Sequence, residues 1–237
     1  RTPMLSIFIH LILSTPLSFA TVQGQLQRFQ VGQATQAPYA SVGLINDFCS
    51  GTLIAANKVL TAGHCTYDVD AKKAMPVTQI TFARNGLRQP GFTFKVLKST
   101  PHPIYKQTGS AEYDVAVLTI DNQGITYPSL PLVHDLRSIP WEFNKEFFAM
   151  STVGSIIGYP GDRLLGTMWY VACFLKQEIS DINRIHYDCD TFGGMSGSPI
   201  LVNLNNRPTI IGVHTNGGRD NSGLMLRPEI LNFILNP

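Results

Sequence analysis

Short apolar or alternating runs recur along the chain, and Gly, Pro, Asn or Asp residues separate them. The runs are YASVGLI, KVLTAG, QITFAR, FTFKVLKS, DVAVLTI, FFAMSTVGSIIGY, WYVACFL, RIHYDCD, SPILVNL and TIIGVHT. Many short strands separated by turn residues predict an all-β sandwich or barrel. The stretch 121–140 contains three prolines and few apolar runs, so it is predicted to connect two β halves. Only RPEILNFIL, close to the C-terminus, has the apolar spacing of a helix, with Pro228 near its first turn.

Residues 1–20 are predicted to be a secretory signal peptide. The segment MLSIFIHLILSTPLSFA has an apolar core followed by the small-x-small pattern SFA, so we expect cleavage after Ala20. A membrane anchor is the alternative interpretation, but a span needs about 20 consecutive apolar residues, and Pro16 interrupts this run. We therefore expect a secreted, extracellular protein that has no membrane segment once the signal is removed.

The composition excludes some classes of function. Charged residues make up 14% of the 237 residues, and the net charge of +2 has no block of like charge behind it. Binding to nucleic acid therefore lacks the basic patch that it requires. The six histidines are scattered, and no cluster of cysteine and histidine has metal-ligand spacing. We expect no metal and no other cofactor.

If the protein is exported, its four cysteines are predicted to form disulfides, because an even number of cysteines in an oxidising compartment is typical of disulfide-bonded proteins. Four cysteines allow three pairings. We favour Cys49–Cys65 together with Cys173–Cys189, since each pair flanks neighbouring strand-like segments.

Three residues form a candidate catalytic set. Ser196 lies in the glycine-rich stretch CDTFGGMSGSPI, and a serine hydroxyl needs a base to become a nucleophile. His64 follows the apolar strand of VLTAGHC beside Cys65 and is the candidate base. Asp114 opens the apolar run of EYDVAVLTI, where its burial requires a partner, and it is the candidate orienting group. The backbone N–H groups of Gly194 and Ser196 are the candidate oxyanion hole.

The segments TAGHC, YDVAVL and GGMSGSP resemble the three active-site boxes of the chymotrypsin-like serine proteases. The segments GYPGD, DTFGGMSGSP and VHTNG resemble the V8-like, glutamyl endopeptidase branch more than trypsin. The resemblance covers the chain from about Pro38 to the C-terminal helix. It implies two perpendicular six-stranded β-barrels, with the site in the cleft between them. The predicted domains are an N-terminal barrel, 31–125, with His64 and Asp114, and a C-terminal barrel with a short helix, 126–237, with Ser196.

Two features depart from the trypsin pattern. Met195 stands where trypsin-like enzymes carry an acid that pairs with a new N-terminal ammonium, and the usual Ile-Val-Gly-Gly start is absent. Activation by that ion pair is therefore not expected. A short propeptide, 21–30, is the expected alternative, with Arg28 as a plausible cleavage point.

The substrate pocket has two interpretations. Asp190 lies six residues before the serine, where trypsin-like enzymes keep the acid that attracts Lys or Arg. Thr191 and His214, in contrast, match the substrate-carboxylate ligands of glutamyl endopeptidases. The resemblance also implies that Thr215, Asn216 and Gly217 supply a backbone edge for an extended substrate.

We therefore predict a secreted serine endopeptidase, a monomer acting on polypeptides, that cleaves after Glu or Asp. Cleavage after Lys or Arg through Asp190 is one alternative, and a catalytically inactive homologue that serves as a binding module is another.

Overall fold

The structure is a computed structural model that describes residues 27–133, 152–178, 180–217 and 221–237. The predicted signal peptide lies outside the described residues. The strands are β1 (Phe29–Gln30), β2 (Val42–Ile45), β3 (Cys49–Ala55), β4 (Lys58–Thr61), β5 (Tyr67–Asp68), β6 (Lys73–Ala74), β7 (Gln79–Phe82), β8 (Phe92–Pro101), β9 (Ala116–Ile120), β10 (Val153–Gly158), β11 (Trp169–Glu178), β12 (Asp181–Tyr187), β13 (Pro199–Leu204), β14 (Arg207–Asn216) and β15 (Asn221–Met225). The helices are α1 (Pro103–Thr108) and α2 (Pro228–Leu235).

Six strands of the N-terminal half close into an antiparallel barrel in the order β2-β3-β4-β9-β8-β7. Its interior is filled by large apolar side chains, and Phe82 is completely buried and packs edge-on against Phe94 at 5.8 Å. The small hairpin β5–β6 lies outside this barrel. Closure removes both sheet edges, which an open six-stranded sheet would expose.

Six strands of the C-terminal half form the second barrel. Their order is β11-β10-β13-β14-β15-β12, and pairing between β11 and β12 closes the ring. The short strand β1 adds to the outside of β11, with Phe29 opposite Tyr170. The prediction of an all-β protein with two six-stranded barrels is confirmed.

One apolar cluster joins the two barrels. It contains Phe82 and Leu118 of the first barrel together with Ile157, Leu201 and Val213 of the second. Burial of apolar side chains stabilises this contact by about 25 cal/mol per Å² removed from water. A continuous apolar core therefore holds the two barrels together.

The C-terminal helix is also confirmed. In α2, Ile230, Leu231 and Ile234 are buried, and the ring of Phe233 lies 4.6 Å from that of His102 in the first barrel. The helix thus belongs to the second half of the chain and packs against the first.

Several elements were not predicted. Strand β3 has the sequence CSGTLIA and strand β15 has NSGLM, and both are too rich in small polar residues to show an apolar run. The first five residues of β3 and all five of β15 are nevertheless buried. Helix α1 has only six residues, which is too short for periodicity to reveal it. Its local signals are His102, whose ring accepts a hydrogen bond from the Ile104 N–H at the N-cap, and Gly109 in the left-handed conformation at the C-cap.

Both predicted disulfides are present. Cys49 and Cys65 have Cα atoms 6.2 Å apart, and Cys173 and Cys189 have Cα atoms 5.3 Å apart. The first joins the start of β3 to the turn that follows β4, and the second joins β11 to the loop after β12. No helix of the described ranges is long and apolar enough to cross a membrane.

Candidate active site

His64 and Asp114 are joined by two hydrogen bonds. His64 lies in the 3₁₀ turn Gly63–Cys65 that follows β4, and Asp114 directly follows the 3₁₀ turn Ala111–Tyr113 before β9. The His64 Nδ1 is 2.7 Å from Asp114 Oδ2, and the His64 backbone N–H donates to Asp114 Oδ1 at 2.8 Å. The carboxylate therefore binds both the ring and the main chain of the same residue, which fixes the position of the imidazole.

The environment of His64 favours its protonated form. Burial alone would lower the pKa of His64, but the hydrogen bond from the ring to Asp114 and the negative charge of that carboxylate outweigh burial and raise it. The side chain of His64 is 35% exposed, whereas that of Asp114 is 6% exposed. The imidazole can therefore reach a substrate in the cleft while its carboxylate partner stays protected from water.

Ser196 is held against the first barrel through its backbone. Its carbonyl oxygen accepts a hydrogen bond from the Ser50 N–H of β3 at 2.8 Å, and it lies 3.7 Å from the sulfur of Cys65. The turn Gly63–Cys65, which carries His64 and one disulfide cysteine, thus directly contacts the turn that carries Ser196, here called the serine turn. Within the described residues the Ser196 hydroxyl makes no hydrogen bond, and such catalytic contacts often tighten only when substrate binds.

The serine turn requires glycine on both sides of Ser196. Gly194 has φ +98° and Gly197 has φ +85°, values that other residues rarely adopt. A Cβ atom on Gly194 would lie 2.4 Å from the Tyr159 carbonyl oxygen, and one on Gly197 would lie 2.1 Å from that of Ser50. The glycines of this stretch therefore permit both the turn and the close contact between the barrels.

A hydrogen bond from a neighbouring loop fixes the peptide bond between Gly193 and Gly194, whose N–H is the first of the two candidate oxyanion-hole donors. The Gly193 carbonyl oxygen accepts a hydrogen bond from the Gly161 N–H at 2.7 Å. In a trans peptide the C=O and the following N–H point in opposite directions, so the Gly194 N–H points away from Gly161. Neither this N–H nor that of Ser196 is bonded to any described residue. Both donors are free for a developing negative charge.

Ser50 also supports this turn, and the sequence did not reveal its role. Its hydroxyl donates to the Gly194 carbonyl oxygen at 2.9 Å and accepts from the Tyr159 N–H at 3.1 Å. One side chain of the first barrel therefore connects two loops of the second. Ser50 lies between Cys49 and Gly51 in a strand without alternating apolar residues. No sequence pattern therefore indicated the role of Ser50.

His214 is a buried, neutral histidine. Burial lowers its pKa to about 3, the charges of His64 and Arg184 act in the same direction, and a backbone hydrogen bond with Ser222 offsets part of this shift. The Nδ1 atom of His214 lies 2.5 Å from the hydroxyl of Tyr187. Burial keeps the pKa of that hydroxyl well above its usual range, so it retains its proton. The Tyr187 hydroxyl can donate to Nδ1, and in that tautomer the imidazole proton is on Nε2.

Thr191 is completely buried, and its hydroxyl oxygen has no hydrogen-bond partner within the described ranges. A Cβ atom built on Gly217 would lie 3.7 Å from this oxygen and 3.6 Å from the Oδ1 atom of Asn221. The absence of a side chain at Gly217 therefore leaves space next to the Thr191 hydroxyl. A buried hydroxyl without a partner is unfavourable unless a ligand completes it.

The end of β14 has a free edge. Strand β13 begins at Pro199, opposite Val213, so Thr215 and the residues after it extend beyond their neighbour on that side. Thr215 is buried, and Asn216 and Gly217 are exposed. An extended peptide can pair with such an edge through main-chain hydrogen bonds.

Asp190 is not a free carboxylate. Its Oδ2 atom accepts a hydrogen bond from the Nε of Arg28 at 2.9 Å. The same guanidinium binds both oxygens of Asp162, each at 2.7 Å. The sequence analysis considered Arg28 only as a cleavage point, and no local pattern indicated that it binds two aspartates.

A cavity of about 170 Å³ borders Gly193 and Gly194 of the turn that carries Ser196. Its walls include Phe48, Tyr159, Leu165 and Gly194.

The model of the trypsin family matches residues 21–231. The chain belongs to the trypsin family. A glutamyl endopeptidase of Bacillus licheniformis is 29% identical over 93% of this chain and 70% of its own. A protein of Bacillus subtilis named extracellular metalloprotease is 27% identical over 91% of this chain and 69% of its own. A solved glutamyl endopeptidase in complex with MPD has a TM-score of 0.71 at 29% identity, over 88% of this chain and 94% of that one.

These relatives and the family identify a trypsin-family enzyme that is a serine-type endopeptidase. The name of the Bacillus subtilis relative raises the question of a metal. In the described part of the chain one group of three potential ligands has its atoms within 4.8 Å of one another, namely Cys49, His64 and Cys65. Both sulfur atoms of this group are in the disulfide, so the group does not fit a metal.

Proposed function

We propose that this protein is a secreted serine endopeptidase that cleaves polypeptides after glutamate, and also after aspartate. The observation that carries the specificity is the completely buried hydroxyl of Thr191, which has no hydrogen-bond partner among the residues that the structure describes. Beside Gly217 it can donate to a substrate carboxylate, and the Nε2–H of His214 is the second donor. Hydrogen bonds to a charged acceptor are stronger than those between neutral groups, so two donors can offset the loss of water around the carboxylate.

In the proposed mechanism His64 is the general base. Its Nε2 removes the proton of the Ser196 hydroxyl as Oγ attacks the scissile carbonyl carbon, and Asp114 stabilises the imidazolium that forms. The oxygen of the tetrahedral intermediate accepts hydrogen bonds from the N–H groups of Gly194 and Ser196. The imidazolium then gives its proton to the leaving amine, and the C–N bond breaks to leave an acyl-enzyme. Water, deprotonated by His64, releases the acid product and restores the serine.

The binding of a polypeptide on both sides of the bond fits the same geometry. The free edge at Thr215–Gly217 can pair with the residues before the scissile bond. The cavity lined by Phe48 and Leu165 can receive residues after it. These two features support an endopeptidase rather than an enzyme that removes terminal residues.

The alternative of Lys or Arg specificity is less consistent with the charges. A pocket that selects a cation needs a carboxylate whose charge is available, but Asp190 is already bound by Arg28. The alternative of an inactive binding module is less consistent with the His64–Asp114 pair and with the two unbonded N–H donors of the serine turn. Export agrees with the predicted signal peptide and with the two disulfides, which persist in oxidising compartments.

Digestion of a denatured protein tests the proposal. The secreted enzyme is incubated with the substrate, and every new terminus is identified by mass spectrometry. We expect most cuts to follow Glu, a minority to follow Asp, and none to appear with the Ser196→Ala variant. Cuts that show no preference, or that persist with Ser196→Ala, would refute the proposal.

A further inference from the structure

The guanidinium of Arg28 is buried next to the pocket and is bound to two carboxylates. Its side chain is 3% exposed. Nη1 and Nη2 donate to the two oxygens of Asp162, and Nε donates to Asp190. Burial would lower the pKa of Arg28, but the hydrogen bonds and charges of both aspartates outweigh burial and raise it. A planar guanidinium matches this arrangement of two carboxylates better than an ammonium can.

The two carboxylates belong to different parts of the active site. Asp190 directly precedes Thr191, whose hydroxyl is the proposed ligand of the substrate. Asp162 follows Gly161, whose N–H holds the carbonyl oxygen of Gly193 and thereby orients the oxyanion peptide. A single side chain from the N-terminal segment therefore links the pocket wall and the loop behind the oxyanion hole.

The negative charge of Asp190 would disfavour binding of a glutamate side chain, and Arg28 reduces this effect. The Asp190 side chain is 18% exposed and lies next to a pocket that is proposed to receive a carboxylate. An uncompensated like charge at this place would repel a glutamate side chain and attract a lysine or an arginine. A fixed cation at 2.9 Å from Asp190 Oδ2 weakens that preference, although the same guanidinium is shared with Asp162.

We propose that Arg28 supports the acidic specificity of this enzyme by acting as a permanent counter-ion of Asp190, which it holds together with Asp162. It does not touch the substrate and is therefore a positioning residue. This inference rests on the proposed function. It also implies that any processing occurs N-terminal to Arg28, because a cut after this residue would detach the guanidinium. Strand β1, which starts at Phe29 and pairs with β11, holds this segment in place.

The test compares kcat/KM for three peptides that differ only in Glu, Arg or Leu before the scissile bond. In Arg28→Gln we expect the Glu/Leu ratio to fall by about tenfold or more and the Arg/Leu ratio to rise, because the charge of Asp190 becomes available. Arg28→Lys should retain most of the preference for Glu. The double variant Arg28→Gln/Asp190→Asn should recover it, since the repelling charge is gone.

A matched control is Arg227→Gln. Arg227 has 4% of its side chain exposed and binds Glu229 at the start of α2, so the substitution also removes a buried, paired guanidinium. The Arg/Leu ratio should not change in this variant. If Arg28→Gln slows cleavage of all three peptides equally, or if the double variant does not recover the Glu/Leu ratio, Arg28 has only a structural role and the proposal is wrong.

Two further measurements do not depend on the folding of Arg28→Gln. In Asp190→Asn, which keeps the cation, the preference for Glu should persist, and its loss would overturn the proposal. Sequencing of the N-terminus of the secreted enzyme should give a start at Arg28 or before it, and a start at Phe29 or later would overturn it too. The unmodified enzyme tests the proposed function separately, because its own Glu/Leu ratio reports specificity, whereas the change on substitution reports Arg28.

Discussion

Replacement of Thr191 by valine removes one oxygen and changes the shape of the side chain very little. In the free enzyme that oxygen is buried without a hydrogen-bond partner among the described residues. In the proposed complex it donates to the glutamate carboxylate. The substitution should therefore stabilise the fold and weaken catalysis, and these two effects have opposite signs.

The change in the free energy of unfolding and the change in kcat/KM can both be estimated from the hydrogen bonds that this hydroxyl lacks or makes. A buried polar group without a partner is unfavourable by about 1–3 kcal/mol, so Thr191→Val should raise the free energy of unfolding by about 1 kcal/mol or more. A hydrogen bond to a charged group contributes about 1.5–3 kcal/mol. At about 1.4 kcal/mol for each factor of ten, its loss should reduce kcat/KM for Glu peptides by about ten- to a hundredfold. Peptides with Leu at that position should be cleaved at nearly the parental rate.

Thr52→Val is the matched control. Thr52 is 1% exposed and lies in β3 of the first barrel, and its hydroxyl also has no partner in the described part of the chain. The Thr52→Val substitution should stabilise the protein to a similar extent but leave the ratio of kcat/KM for Glu and Leu peptides unchanged. Denaturant unfolding and steady-state kinetics measure the two quantities. An unchanged Glu/Leu ratio in Thr191→Val would show that the hydroxyl does not bind the substrate, and a loss of stability would show that it has a partner in the fold.

Three other predictions follow from the geometry. His214→Ala should lower kcat/KM for Glu peptides by about tenfold or more and affect Leu peptides little, because a donor to a charged acceptor is lost; an equal loss for both peptides would contradict this role. The acidic limb of kcat/KM against pH should have its midpoint above the usual histidine value of 6.5, since the base must be neutral and Asp114 raises the pKa of His64. In Asp114→Asn this limb should move to lower pH and the rate should fall by up to about 10⁴-fold. If the limb does not move, the titrating group is not His64. Peptide mapping without reductant should give a Cys49–Cys65 fragment, and a different partner for Cys49 would refute the pairing.

The architecture could be predicted from the sequence wherever an apolar run marked a strand. The runs that correspond to β4, β7, β8 and β9 are confirmed, as is the helix α2. Strands β3 and β15 were not predicted because small and polar residues, which are buried by contacts with neighbouring strands, interrupt their apolar positions. Ser50 is the clearest example, since its hydroxyl serves the oxyanion turn and its place in a strand follows from pairing with β2.

The site could be predicted only as far as local motifs extend. His64, Asp114 and Ser196 each lie in a segment with a recognisable pattern, and the structure brings His64 and Asp114 into hydrogen-bonding contact. Their catalytic roles and the domain boundary near residue 125 stay predictions. Arg28 was assigned to a propeptide because its partner lies 162 positions away in the chain. No local pattern reports a contact at that separation.

The most direct test of acidic specificity is a set of peptides that differ only in Glu, Asp, Lys, Arg or Leu before the scissile bond. The secreted enzyme is assayed at neutral pH, and kcat/KM is determined for each peptide, with Ser196→Ala as the blank. We expect the highest value for Glu, a lower value for Asp, and low values for the other three. Faster cleavage after Lys or Arg than after Glu would contradict the carboxylate pocket of Thr191 and His214.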